Sequence, residues 1–310
     1  MPLLPSIYTV ESVTKGHPDR VCDQIADRIL QEITEQDPSA RVAVEVFGCK
    51  GVLTIGGEVT TRAQVDYAKL AREVLDAVAY DPVEIRLHLI EQSSQIGGAV
   101  SEGGAGDQGI MYGYATSETQ SGLPLGVELS RALTDGLERL RESGELPWLK
   151  SDGKSQVTIR DGQPEVIVVS AQHDEEVSLE DVRSALKEKL NLSAPYIHVN
   201  PAGAWSTGGF NADSGLTGRK LAVDGYGGVL PGGGGSTHGK DNSKVDRSAT
   251  HKAREVALKI VQECLAKEVL ISVAYAIGVD EPVMLHAINE NHEDITHLLD
   301  AEVFRASNLR

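Results

Sequence analysis

The apolar residues of this chain change period as the sequence runs, and that change sets the fold class. Residues 20–36 place Val21, Ile25, Ile29 and Ile33 at i, i+4, i+8 and i+12. One such stripe is the buried face of an amphipathic helix. Pro18 suits its first turn, and DPS at 37–39 ends it. Residues 41–47 then alternate Val42, Val44 and Val46 with Ala43, Glu45 and Phe47, the period of a strand. A return through Gly51 leads to a second strand, VLTIGGEVTT. Residues 62–79 and 123–143 predict helices, the latter closed by Gly144. SQVTI and PEVIVVSAQ predict two short strands, and Ser178-Leu-Glu-Asp181 is a capping box opening a helix to about Leu190. A long helix follows from about Ser243 to Lys267, then a strand at 269–278, and the polar segment 283–310 reads as one short helix with a frayed tail. Paired strands punctuated by helices predict an α+β fold rather than a regular βαβ alternation.

Charge and cysteine usage narrow the function. The net charge of −17 over 310 residues argues against general nucleic-acid binding and against adhesion to an anionic membrane. Cys22, Cys49 and Cys264 form no C-x-x-C pair, so reduced thiols are expected and neither a disulfide framework nor a zinc–cysteine site. The N-terminus lacks the pattern of a signal peptide, and no apolar run is long enough to span a membrane, so the expected setting is the cytoplasm. The charge is uneven. Residues 219–254 hold seven Lys or Arg against three Asp, a balance of +4, and the other 274 residues carry −21. A basic, glycine-rich island in an acidic protein points to a small polyanion such as a nucleotide's phosphate chain.

Three stretches can carry that chemistry. Glu11-Ser-Val-Thr-Lys-Gly-His17-Pro-Asp19-Arg20 precedes the first helix. A helix N-terminus suits phosphate, His17 can donate to a developing oxyanion, and Asp19 can hold magnesium. The same residues also fit a surface turn in which Asp19 neutralises the helix dipole. Gly104, Gly106 and Gly109 satisfy G-x-G-x-x-G, but IMYGYATSET follows instead of a helix, so a loop carrying Asp107 is the better reading than a dinucleotide site. From Gly234 the sequence matches G-x-x-x-x-G-K, yet Asp241 stands where a P-loop needs Ser or Thr. A backbone-lined phosphate cradle with Lys240 and a plain glycine linker both remain open. No serine or cysteine nucleophile motif is present.

Taken together, ESVTKGHPDRVCDQIADRIL, GGEVTT, GGAGDQGIMYGYATSET, LPWLKSDGKSQVT, GGFNADSGLTGRKLAVDGYGG, GGGGSTHGKDNSKVDRSA and VAYAIGVDEP resemble the S-adenosylmethionine synthetase (methionine adenosyltransferase) family, in its order and over residues 11–282. The resemblance implies an α+β fold of three similar sheet-plus-helix domains about a pseudo-threefold axis, the third reduced. The domains interleave, with approximate units 1–101, 102–220 and 221–310. It implies a transferase that joins ATP and L-methionine (or a close analogue) and hydrolyses the triphosphate to phosphate and diphosphate. The sulfur is itself the nucleophile, which fits the missing serine or cysteine motif. It further implies Asp19 and Asp246 on two magnesium ions and Glu45 on potassium. His17 would stabilise the leaving oxygen. Lys154, Arg219, Lys220 and Lys240 would grip phosphates, with Asp152, Trp205, Asp213 and Ser236 at the nucleotide. Glu58, Gln92, Asp107, Asp213 and Lys244 would hold methionine, some of them from the partner of a homodimer or tetramer.

The sequence departs from the family pattern in several places. Arg20 stands for the usual Lys, Ala204-Trp205 for an Arg-Phe pair, and Ser236-Thr237-His238 for Ala-Phe-Ser. The chain also ends several dozen residues sooner after AIGVDEP than the family does. These changes bear on nucleotide and methionine-analogue selectivity. A P-loop NTPase and a non-catalytic regulatory subunit are the competing readings. Asp241 counts against the first, and the retained acids and lysines against the second.

Overall fold

The computed structural model describes residues 3–91 and 103–310, so Gln92 lies outside the described residues. The chain runs β1 (Ile7–Val13), α1 (Pro18–Gln36), β2 (Arg41–Cys49), β3 (Val52–Thr60), α2 (Tyr67–Ala77) and β4 (Glu84–Ile90). It continues through β5 (Gly109–Thr116), α3 (Leu125–Glu142), β6 (Leu149–Arg160), β7 (Gln163–His173), α4 (Leu179–Lys189) and β8 (Tyr196–Val199). The last part holds β9 (Gly215–Leu216), α5 (Leu221–Asp224), α6 (Val245–Gln262), β10 (Glu268–Tyr275) and β11 (Met284–Asn289). Among the described residues the strands form three sheets, ordered β1-β6-β7-β8, β11-β10-β5 and β4-β3-β2-β9. Each sheet is mixed in sequence origin. β1 pairs with β6, β5 with β10, and β9 with β2.

Every sheet buries one face under helices. The stripe Val21, Ile25, Ile29 and Ile33 of α1 is fully buried and packs with α2 on Val42, Val44, Val46, Leu53 and Ile55 of β2–β3. Each such side chain removed from water contributes roughly 1.5–3 kcal/mol. α3 and α4 cover the β1-β6-β7-β8 sheet, and α6 covers β5 and β10.

Three expectations need correction. The helix expected at 62–79 starts only at Tyr67, because Asp37 binds the Arg62 N–H at 2.9 Å and the Thr61 hydroxyl at 3.0 Å and so holds that stretch as loop. The helix expected to reach Lys267 ends at Gln262, where Cys264 turns left-handed at φ 59°. The last segment is not one helix. Residues 284–289 form a strand against β10, and short 3-10 turns follow, of which Phe304 is fully buried beside Tyr275. The Tyr275 hydroxyl donates to the Phe304 carbonyl at 2.6 Å. The pairing edge of β10 and this distant pocket outweigh local helix preference.

Candidate active site

The site grows from the start of α1. His17 is the N-cap, with φ −70° and ψ 137°, and its Nδ1 accepts the Asp19 N–H at 3.1 Å. An accepting Nδ1 leaves the proton of a neutral imidazole on Nε2. His17 is buried, and burial, with Lys220 and Lys154 nearby, lowers its pKa to about 3. It is therefore a neutral hydrogen-bond donor, held by a helix cap. Asp19, the residue that a surface-turn reading leaves in solvent, is fully buried.

Asp19 is the hub of the cationic group. Its Oδ2 lies 2.5 Å from Lys220 Nζ, its Oδ1 2.8 Å from Arg219 Nε, and Oδ1 also accepts the Leu216 N–H at 3.0 Å. Burial opposes its charge, but these donors hold its pKa below the ordinary value. Short β9 delivers both cations, because Phe47 and Gly48 of β2 pair with Leu216 and Gly215.

A second arm comes from β6. Thr14 N–H donates to the Gly153 carbonyl at 3.0 Å, and the Thr14 hydroxyl to the Ser151 carbonyl at 2.6 Å. This lock sets Asp152 and Lys154 beside residues 14–19. Asp152 is buried, and one of its oxygens accepts the Gly209 N–H at 2.9 Å while the other has no partner among the described residues. Burial raises its pKa to about 6. Lys154 is exposed.

A third arm is the glycine-rich loop. Lys240 bridges Ala43 of β2, the Val44 N–H donates to the Gly239 carbonyl at 2.9 Å, and the Asp241 N–H donates to the Val42 carbonyl at 3.0 Å. Lys240 Nζ lies 2.9 Å from Asp246 Oδ2, and Asp246 Oδ1 accepts the Gly235 N–H at 2.9 Å. Asp246 sits in the first turn of α6, so the loop closes onto that helix. Ser236 lies against Gly218, which brings this loop to the one bearing Arg219 and Lys220. No strand–loop–helix unit of the P-loop kind is present here, since Lys240 itself pairs along β2 and α6 begins only at Val245. The glycine run at 104–109 leads directly into strand β5, which removes the dinucleotide reading as well.

The structure thus gathers His17, Asp19, Asp152, Lys154, Arg219, Lys220, Ser236, Lys240 and Asp246. Asp213 is exposed at the margin and is close enough to act electrostatically on His17 and Asp152. Trp205 is half-buried, its indole N–H bound to the Thr207 carbonyl at 2.7 Å, so its ring is oriented. Glu45 and Glu58 lie on the outward face of β2–β3, with Glu58 opposite Ala43. Burial raises the Glu45 pKa against the pull of Lys240. Lys244 Nζ lies 3.4 Å from Asp241 rather than in the cationic group, and Asp107 is exposed and accepts its neighbour's N–H at 2.7 Å. Sequence reasoning missed Asp23 and Asp27, which bind the same loops, and His238, which joins its own loop to Asp27. The signal for Asp23 and Asp27 was the four-residue spacing from Asp19, and His238 had none of that kind.

The chain is similar to known proteins along most of its length. Family models described as the N-terminal, central and C-terminal domains of S-adenosylmethionine synthetase match residues 5–101, 102–205 and 207–306. A Mesoplasma florum protein named S-adenosylmethionine synthase is 42% identical over 306 residues, covering 90% of this chain and 81% of the relative. A protein of the same name from Wolinella succinogenes is 42% identical, covering 96% of this chain and 86% of the relative. Another, from Sulfurovum sp., is 43% identical over 90% of this chain and 80% of the relative. Three domain models in register and relatives of this identity over most of the chain show that it belongs to the S-adenosylmethionine synthetase family.

Proposed function

We propose that this constellation is the protein's adenosyl-transfer site. The chain makes S-adenosylmethionine from ATP and methionine. The observation that carries the placement is the neutral His17 set beside the Arg219–Lys220 pair on Asp19. A lone pair of the methionine sulfur forms the bond to ribose C5′, and the C5′–O bond breaks with its electrons going to the triphosphate. Catalysis then needs alignment and charge neutralisation, not a protein nucleophile. His17 donates from Nε2 to the leaving oxygen. Lys154, Arg219, Lys220 and Lys240 take the phosphates, and the triphosphate is hydrolysed to phosphate and diphosphate before release. Trp205 stacks on adenine, with Asp152, Asp213 and Ser236 beside the nucleotide. Glu58, Gln92, Asp107, Asp213 and Lys244 bind methionine.

The family is ATP-using and metal-dependent, and the donor set fits hard cations. Magnesium takes oxygen ligands, commonly one or two carboxylates plus water and substrate phosphates. Asp19 and Asp246 each present a carboxylate beside a lysine that can pass to the phosphates. They would hold two magnesium ions, and Glu45 would hold potassium. Such ions supply neutralisation of the triphosphate's charge.

The outward face of β2–β9 exposes Phe47 and Leu216 next to Glu45 and Lys240. An open site flanked by exposed apolar residues supports a homodimer with shared active sites, alone or within a tetramer. No described helix is long and apolar enough to cross a membrane. The unpaired Cys22, Cys49 and Cys264 support a reducing cytoplasm. The linear units 1–101, 102–220 and 221–310 remain our division of the three interleaved domains.

The test is a purified assay with ATP, methionine and magnesium. We expect S-adenosylmethionine, and Asp246→Asn should cut kcat by about 100-fold or more. Absence of both the sulfonium product and triphosphate cleavage refutes the reading, and wild-type kinetics for Asp246→Asn refutes the metal assignment.

A further inference from the structure

Helix α1 carries a second stripe. Asp19, Asp23 and Asp27 recur every four residues, two positions out of step with Val21, Ile25 and Ile29. At about 100° per residue the two stripes lie on nearly opposite faces. The apolar face meets the sheet, and the acidic face meets two loops. Asp19 Oδ1 accepts the Leu216 N–H at 3.0 Å, Asp23 Oδ1 the Gly218 N–H at 2.8 Å, and Asp27 Oδ1 the Gly239 N–H at 2.9 Å. The first two amides belong to the loop of Arg219 and Lys220, the third to the loop of Lys240.

His238 sits within this stripe. Its Nδ1 lies 2.6 Å from Asp27 Oδ2, and its Nε2 lies 3.4 Å from Asp224 Oδ1 and 3.8 Å from Asp23 Oδ2. Arg20 shares the cluster, with Nη1 3.1 Å from Asp23 Oδ2 and in contact with the same Asp224 oxygen. Arg247 lies 3.7 Å from Asp27 and donates to the Thr237 carbonyl at 2.6 Å. An imidazole donates at both nitrogens only when it carries the second proton and its charge; here Nδ1 faces Asp27, and Nε2 faces Asp224 with Arg20 Nη1 3.3 Å away. Burial works against that charge, but the bonds to Asp224 and Asp27 push the His238 pKa up to about 10. Asp23, Asp224 and His238 offer a cation site in outline, yet the Arg20 guanidinium already lies against both carboxylates.

We propose that His238 is a positioning residue: held between Asp27 and Asp224, it pins the glycine-rich loop to α1 and so sets where the amides of residues 236–238 meet the triphosphate. The run Gly232–Gly235 just before it has little conformational stiffness of its own. Downstream, Gly239 and Asp241 are fixed to β2 by backbone bonds. The clamp therefore governs the tract between them.

This inference rests on the adenosyl-transfer reading. The test measures ATP, methionine and inorganic tripolyphosphate kinetics for the wild type, His238→Ala, Asp27→Asn and their double variant. His238→Ala should raise KM for tripolyphosphate about tenfold and leave KM for methionine within about twofold. The double variant should be no worse than the worse single one, because the two changes share the His238–Asp27 bond. An unchanged tripolyphosphate KM in folded His238→Ala, or effects that multiply in the double variant, overturns the proposal alone. A wild type that forms no S-adenosylmethionine overturns the function reading and this with it. If His238→Ala does not fold, His238→Gln fills the space without the charge, and wild-type behaviour there also overturns the clamp.

Discussion

Replacing Asp152 by Asn separates the stability cost of the site from its use. Asp152 is buried, one oxygen has no partner among the described residues, and its pKa is raised to about 6 by burial. In the unfolded chain it ionises at the ordinary carboxylate value, about two units lower. Between those values the folded protein binds the extra proton. Stability is therefore highest below the unfolded value, falls as pH rises through the folded one, and stays reduced above it. Two units at about 1.4 kcal/mol each amount to roughly 3 kcal/mol at neutral pH. Asn keeps an acceptor for the Gly209 N–H and carries no charge, so it escapes this cost. An amide without an acceptor costs about 1–3 kcal/mol at every pH, so the pH dependence is the clean signal. The stability of Asp152→Asn relative to wild type should rise by about 2–3 kcal/mol from pH 4 to pH 8, a relative Tm change of roughly 5 °C by calorimetry. The variant should also bind ATP more weakly. Parallel Tm curves for the two proteins across pH 4–8 would falsify the burial argument.

Two further perturbations follow from geometry. Gly239 has φ +66°, and a Cβ there stands 2.3 Å from the Val44 carbonyl oxygen, so Gly239→Ala should shift the Lys240 loop, cost about 1–3 kcal/mol and raise KM for ATP more than KM for methionine. A thermal shift with equal changes in both KM values counts against this. Phe47 and Leu216 pair across β2–β9 on the exposed face, so Phe47→Glu with Leu216→Glu should give a monomer with little activity. A fully active monomer in light scattering removes the shared-site proposal.

Much of the scaffold is written locally. The stripe from Val21 to Ile33 and the alternation of Val42, Val44 and Val46 are one-element patterns, and α1 and β2 form where they predict. Ser178 caps its helix by accepting the Asp181 N–H at 3.2 Å, as its spacing indicates. The final segment was misread because residues 284–289 take their conformation from the edge of β10, which no local period encodes.

The sequence by itself determined the α+β character, the charge division and the stretches that bear the candidate chemistry. It determined the family through long motifs in order. Only the tertiary structure decided the state of those groups. His17 becomes a neutral Nε2 donor because Asp19's own amide caps it and two lysines face it. Asp19 becomes a buried hub because residues about 200 positions away bring Arg219 and Lys220 to it. His238, one of several histidines along the chain, meets a carboxylate at each ring nitrogen because α1 and α5 bring Asp27 and Asp224 to it. Protonation and burial depend on partners distant in sequence, so folding, and not local pattern, fixes them.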